Sequence, residues 1–357
     1  MKHKVLVAMS GGLDSSVAAY LLASKGYDVS GVTMCLGFGR RGSQKERRAG
    51  SVDIEDARRV CRMLGIKHHI VDLGDMFERR VINYFAAEYA AGRTPNPCVQ
   101  CNRHLKFGAL VKLSVRMGFD FLATGHYAAI GSYKGQIVIR KPRDLRKDQT
   151  YFLYGIPQDA LPRIMFPLGC LTRDQAGRIA SAAGLSVAEK PQSQDICFVP
   201  DGDYASFLLL RGHDASPGDI VDEDGRVIGR HPGTIHYTIG QRSGLGISSA
   251  YPLYVRAIDA AHNRLVVCAR QGLRADGLVA CKVNLHVKDF PRRAMVKIRY
   301  GHAAVAAQVT LRKGRLRVMF ASPQESVTPG QSAVLYDRDA LLGGGLIERV
   351  IRRGHGR

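Results

Sequence analysis

The sequence is short of acid and has no long apolar run. Against 52 Lys and Arg stand only 31 Asp and Glu, a net charge of +21, which argues against an anion-repelling surface and makes nucleic acid the leading partner class. No apolar stretch approaches the roughly 20 residues that cross a bilayer, so no membrane partner is expected. The apolar run 5–9 ends at Ser-Gly-Gly, too short for the core of a signal peptide. Eight cysteines scattered over 357 residues do not resemble a small disulfide scaffold. A reducing cytoplasm is therefore expected, where a cysteine that matters acts as nucleophile, sulfur carrier or metal ligand. Internal repeats and low-complexity tracts are also missing.

What is present falls into two textures. The first half alternates short apolar runs with helical patterns. A strand over 5–9 leads to a helix with Val17, Ala18, Leu21 and Leu22 on one face, closed at Gly26, and then to a strand over 29–34. A second helix is expected from Asp53, carrying Ala57, Val60, Cys61 and Leu64 as far as Gly65, with buried strands over 70–73 and 119–123. This order implies an α/β fold, a Rossmann-like parallel sheet flanked by helices. The Arg-rich stretch 39–48 buries no face and reads as a mobile basic loop. After about residue 210, Asp224-Gly225 and Lys313-Gly314 sit between short alternating runs as hairpin turns do. Leu316 and Val318 oppose Arg315 and Arg317, and Val296, Ile298 and Tyr300 alternate with Lys297 and Arg299. The expected domains are 1–208 with the parallel sheet, then 209–275 and 276–357 as two small antiparallel, barrel-like β domains with a basic face.

Ser10-Gly11-Gly12-Leu13-Asp14-Ser15 follows a strand and opens a helix, so its N–H groups converge where an anion binds. The glycines permit close approach, Ser10, Ser15 and Ser16 add hydroxyls, and Asp14 is suited to capping the helix or holding Mg²⁺. The Gly-x-x-x-x-Gly-Lys lysine is missing and Gly-x-Gly-x-x-Gly is not matched, which argues against γ-phosphate transfer and against a dinucleotide fingerprint.

A second signal is Thr94-Pro95-Asn96-Pro97-Cys98-Val99-Gln100-Cys101, where two prolines stiffen the approach to Cys-x-x-Cys. Arg103 and Lys106 are expected to lower a neighbouring thiol's pKa. No second Cys-x-x-Cys or His-x-x-x-His completes a zinc site. A further thiol, Cys197, stands apart, while Cys35, Cys61, Cys170, Cys268 and Cys281 read as small core residues.

The loop at 10–15 resembles the PP-loop of the N-type ATP pyrophosphatases, which form AMP and pyrophosphate. Taken with the Cys-x-x-Cys segment, the region of Cys197, Lys147-Asp148-Gln149-Thr150-Tyr151-Phe152-Leu153, Gly229-Arg230-His231-Pro232-Gly233 and the run from Tyr237 to Ile247, the whole chain is similar to the bacterial tRNA-specific 2-thiouridylases. That resemblance implies ATP, with Mg²⁺, at Ala8, Met9, Ser10, Gly11, Gly12, Leu13, Asp14, Ser15, Met34 and Gly125. It implies a persulfide on Cys197, Cys101 as partner nucleophile, and Asn96, Pro97 and Cys98 lining a flipped base. His126, Lys147, Asp148, Gln149, Arg299, Tyr300 and Gln331 would meet tRNA, that for Lys, Glu or Gln, and a sulfur relay protein or cysteine desulfurase would supply the persulfide. The chemistry is self-consistent, because an amide-like oxygen leaves only once adenylated and a persulfide needs a second thiol to cleave its S–S bond. Some family members carry Asp where this chain has Cys98. An alternative therefore stays open: Cys98, Cys101 and Cys197 as ligands of a [4Fe–4S] cluster.

Overall fold

The computed structural model describes residues 2–37, 44–185, 187, 196–199, 202–213 and 215–352, and side chains within 44–51 are outside that description. The first apolar run forms β1 (Lys4–Ala8), with Val5, Leu6 and Val7 fully buried, as a strand covered on both faces requires. It is followed by α1 (Leu13–Ser24), closed at Gly26 with φ +84°, then β2 (Asp28–Cys35), α2 (Gln44–Met63) and β3 (Lys67–Asp72). Helical runs over 74–90 and 97–116 lead to β4 (Phe121–Thr124), the hairpin β5 (Ala129–Tyr133) and β6 (Gln136–Arg140), and the short β7 (Ile164–Met165). All pairings in the first sheet are parallel, in the order β3-β2-β1-β4-β7.

Two expectations need correction here. The second helix starts at Gln44 rather than Asp53, so part of the Arg-rich stretch is helical backbone; residues 39–43 lie outside the described residues. The run 70–73 is not buried: β3 is the sheet's edge strand, and Ile70 is 48% exposed.

The second sheet holds β8 (Gly218–Val221), β9 (Val227–His231), β10 (Tyr254–Asp259) and β11 (Arg264–Cys268) in the order β10-β11-β8-β9. It is mixed rather than antiparallel, because β8 and β11 run parallel. The third is built from β12 (Arg274–Leu285), β13 (Arg293–Lys297), β14 (Val305–Arg312), β15 (Arg315–Glu325), β16 (Ser332–Asp337) and β17 (Ala340–Ile351). Pairing of β12 with both β15 and β17 closes these six antiparallel strands into a barrel, which removes the sheet edges. The turn between β14 and β15 is Lys313-Gly314, both at positive φ (48° and 71°), as a two-residue hairpin of native twist requires. Leu316 and Val318 point into the barrel with Arg315 and Arg317 outside. The alternation after β13 ends early, since Ile298 is buried but Tyr300 is 41% exposed.

The units are not strung like beads. The hairpin β5–β6, early in the chain, adds to β17 of the barrel. One apolar cluster joins Leu6, Val32 and Leu122 of the parallel sheet to Val334, Tyr336 and Leu341 of the barrel. Among the described residues, no helix is long and apolar enough to cross a membrane.

Candidate active site

The chain leaves β1 toward β2 on one side, while β4 lies on the other. At such a switch point the strands' C-terminal ends open a crevice where ligands bind. The loop 9–12 lies there and folds onto itself. Ser15 Oγ accepts from the Ser10 N–H (3.2 Å) and donates to the Gly12 carbonyl (3.1 Å), and Ser16 Oγ donates to the same carbonyl (2.9 Å). Gly11 sits at φ +68°, where its missing Cβ would fall 2.4 Å from the carbonyl oxygen of Asp53, so glycine is needed for conformation and for room. No side chain caps α1 at Gly12, which leaves the first-turn N–H groups directed at the crevice as an anion nest. The opposite wall is Gly125: a Cβ there would lie 2.6 Å from the Ser15 nitrogen. Ala8 and Met34 are half-buried at the ends of β1 and β2.

Asp14 does not cap the helix. Its carboxylate accepts from Tyr127 Oη at 3.0 Å and pairs with Arg173 at 3.7 Å. Burial raises its pKa, opposed by the Arg173 charge and the Tyr127 bond. Met9 is held through its carbonyl, which accepts from Thr33 Oγ1 (3.1 Å), and Thr33 in turn meets His68 Nε2 (2.8 Å). Sequence reading missed Tyr127, Arg173, Thr33 and His68; each is remote in the chain, and only the capping box at Thr172 and Gln175 marks the helix Arg173–Ala182 in the sequence.

The thiols stand in a second cleft. Pro97 begins the helix Pro97–Cys101 at a position where proline's lost N–H costs nothing, with Asn96 at its N-cap. Cys98 is exposed and Cys101 half-buried against an aromatic cluster. Cys197 is brought there by its neighbour Phe198, whose buried ring meets Phe85 at 5.3 Å and Phe77 at 5.6 Å, both near-perpendicular, an arrangement worth about 1 kcal/mol per pair beyond burial. The three thiols feel one another and all feel Lys106.

The expected lowering of thiol pKa does not occur. Desolvation outweighs Lys106 at Cys98 and Cys101, and desolvation together with the other two thiols pushes Cys197 up to about 12. Arg103 instead packs beside Gly155. All eight cysteines are free. Among the described residues, no group of three or more His, Cys, Asp or Glu is disposed to hold a metal ion, so the cluster reading is unsupported. Cys61 and Cys268 are core residues as expected; Cys170 is exposed, and Cys35 and Cys281 are half-buried.

His126 follows Gly125 of the crevice wall. Its Nδ1 meets Thr124 Oγ1 at 2.8 Å and its ring packs near Phe107 and Phe166. Burial, then the Lys106 charge, holds it well below the ordinary imidazole range, so it is neutral at pH 7. Asp148 is buried and accepts from Thr150 Oγ1 (2.6 Å) and N–H (2.9 Å), and Gln149 Oε1 accepts from the Tyr127 N–H (2.8 Å). Lys147 contributes positive charge near Asp14. Arg299 donates to the Ile239 carbonyl and to Thr328 Oγ1, both at 2.9 Å, tying the second sheet's domain to the barrel. Tyr300 stays exposed, its ring 4.5 Å from that of Phe152 and 5.3 Å from Lys297 Nζ. Gln331 donates to the Thr94 carbonyl at 2.9 Å.

Three family profiles match in order: "tRNA methyl transferase HUP domain" over 3–201, "tRNA methyl transferase PRC-barrel domain" over 206–269 and "Aminomethyltransferase beta-barrel domain" over 273–347. Full-length relatives are named for thiolation instead. A tRNA-specific 2-thiouridylase MnmA 1 of Syntrophus aciditrophicus is 51% identical, covering 98% of this chain and 94% of that protein. A tRNA-specific 2-thiouridylase MnmA of Syntrophotalea carbinolica is 46% identical (97% and 98%), and one of Carboxydothermus hydrogenoformans is 45% identical (98% and 98%). With the PP-loop and the gathered thiols in place, and identity of this level sustained from end to end, the chain belongs to the tRNA-specific 2-thiouridylase family.

Proposed function

We propose that this chain thiolates the wobble uridine (U34) of tRNA. It uses ATP to adenylate the uracil O2, releasing pyrophosphate, and replaces the resulting AMP with sulfur carried as a persulfide on Cys197. The observation that carries this reading is that Cys98 and Cys101 share one short helix, with Cys101 packed in the same cluster as Ile196 and Phe198 on either side of Cys197. A small-molecule ligase has no use for such a set.

The terminal persulfide sulfur attacks C2 and AMP leaves with the oxygen. Cys101 then attacks the Cys197 sulfur, its proton passing to the uracil ring nitrogen vacated on adenylation, which forms a Cys101–Cys197 disulfide and frees the thiocarbonyl; a thiol reductant restores both cysteines. Burial favours the protonated form of the idle Cys101 thiol. A persulfide is more acidic than a thiol and ionises where Cys197 alone does not. Asp14 is already engaged by Tyr127 and Arg173, so Mg²⁺ is assigned to the ATP phosphates, where it would neutralise charge. Residues 1–208 would carry ATP and sulfur chemistry; 209–275 and 276–357 would grip the tRNA for Lys, Glu or Gln, with the exposed Tyr300 and Lys297 suited to base and backbone. Asn96, Pro97 and Cys98 would line the flipped base, and a relay protein or cysteine desulfurase in the cytoplasm would charge Cys197.

The test incubates the full chain with labelled ATP, unmodified tRNA and a persulfide-charged donor. AMP and 2-thiouridine should form in step, both dependent on tRNA. Absence of tRNA-dependent AMP would overturn the reading.

A further inference from the structure

We infer that the C-terminal barrel positions the thiol helix through a latch made by Gly330 and Gln331 on Thr94, so that Gln331 acts on the reaction through Cys98 and Cys101 as well as any contact it makes with RNA. This rests on the function proposed above and adds a positioning role to it.

The latch has several parts. The Thr94 N–H donates to the Pro329 carbonyl at 3.0 Å. The Thr94 carbonyl accepts from Gln331 Nε2 at 2.9 Å. Gly330, at φ +92°, lets the barrel loop lie flat on the same peptide: a Cβ there would fall 2.8–2.9 Å from the nitrogen, carbonyl carbon and oxygen of Thr94. The loop is itself held by the barrel, since the Gly330 N–H donates to the Ile347 carbonyl (2.9 Å) and the Ile347 N–H to the Gln331 carbonyl (2.8 Å). Tyr151 Oη, 3.5 Å from Gln331 Oε1, steadies the side chain from the other end.

A second brace comes from the central domain. Gly92, at φ +69°, packs so closely on Ile258 of β10 that a Cβ would meet its carbonyl oxygen at 2.8 Å and Cγ2 at 2.9 Å. Arg93 is fixed by its ion pair with the buried Glu88. The approach to the thiols is thus gripped at two points by the two domains that follow it in the chain.

From Thr94 the chain reaches Cys98 in four residues, two of them Pro95 and Pro97. Fixed proline φ angles leave little slack in such an arm. Holding the Thr94 peptide therefore sets where Cys98 and Cys101 stand, and misplacement by about 1 Å at a reacting atom costs on the order of a hundredfold in rate.

The test compares the wild-type chain with Gln331→Met, which keeps the volume and loses the donor, and Gly330→Ala, which forces the loop off Thr94. Two measurements are made on each: single-residue alkylation rates with iodoacetamide, read by peptide mass spectrometry without ATP or tRNA, and steady-state thiolation. The inference expects alkylation of Cys98 and Cys101 to change several-fold while the exposed Cys170 keeps its rate, and kcat to fall about tenfold or more with KM for tRNA held within about twofold. Unchanged thiol rates, or a raised KM with kcat intact, would overturn it and leave Gln331 as an RNA contact alone. If the wild-type chain itself thiolates no tRNA, the functional reading fails, whereas the alkylation comparison still decides the latch.

Discussion

The nucleotide crevice and the thiol cleft are built on opposite plans. The crevice is made largely from one continuous stretch, 8–15, whose hydroxyls bond within the loop and whose N–H groups are aimed by a strand and a helix adjacent in sequence. The thiol cleft is assembled from residues about a hundred positions apart, seated by an aromatic plug at Phe198 and approached by an arm clamped from the barrel. A site of the first kind carries its geometry with it, whereas one of the second kind exists only when distant parts of the fold agree. The two can therefore be broken separately.

The largest separation should come from Cys197→Ser. If Cys197 carries the sulfur, its loss should lower thiolation by roughly a thousandfold or more, with ATP affinity, measured by calorimetry, within about twofold of wild type. Residual activity near the wild-type level would remove Cys197 from the chemistry. The converse lesion is Gly125→Ala, which drives a methyl against the Ser15 and Asp14 backbone. About a tenfold loss of ATP affinity is expected, a little over 1 kcal/mol, with alkylation rates at Cys98 and Cys101 unaltered; unchanged ATP binding would show that β4 does not wall the crevice.

A smaller effect concerns pH. Because the surroundings of Cys197 disfavour its charged form and raise its pKa to about 12, its thiolate fraction should keep rising through the alkaline range. Its alkylation should then speed up about tenfold per pH unit between pH 7 and 10, and a plateau near pH 9 would contradict the raised pKa. Smallest of all, Tyr127→Phe removes the hydroxyl that serves Asp14 and should cost on the order of 1 kcal/mol in chemical denaturation. The thiol rates should not move, which would mark Tyr127 as part of the crevice alone.

This contrast also governs what could be read from residues alone. The crevice was legible, because strand, Gly-Gly turn and helix start are local patterns and the fold realised them at β1 and α1. So were the alternation of Leu316 and Val318 and the Lys313-Gly314 turn. The partners of Asp14 were not, since nothing in the sequence near Tyr127 or Arg173 announces a carboxylate over a hundred positions away. The thiol pKa was read in the wrong direction: a cation nearby in sequence was expected to dominate, and burial outweighed it. The exposure of Ile70 escaped because strand order, which made β3 an edge, is a property of the whole sheet.

The hairpin β5–β6 has a consequence for how the chain is made. Its outer partner, Ala340-Leu341 of β17, lies some 200 residues downstream of Arg140 and Ile139. During synthesis the parallel sheet can complete itself, yet Ile139, wholly buried in the finished protein, must wait for nearly the entire remaining chain before its cover arrives. A chain that stops early therefore leaves a bare, sticky strand edge and an incomplete core beside the parallel sheet.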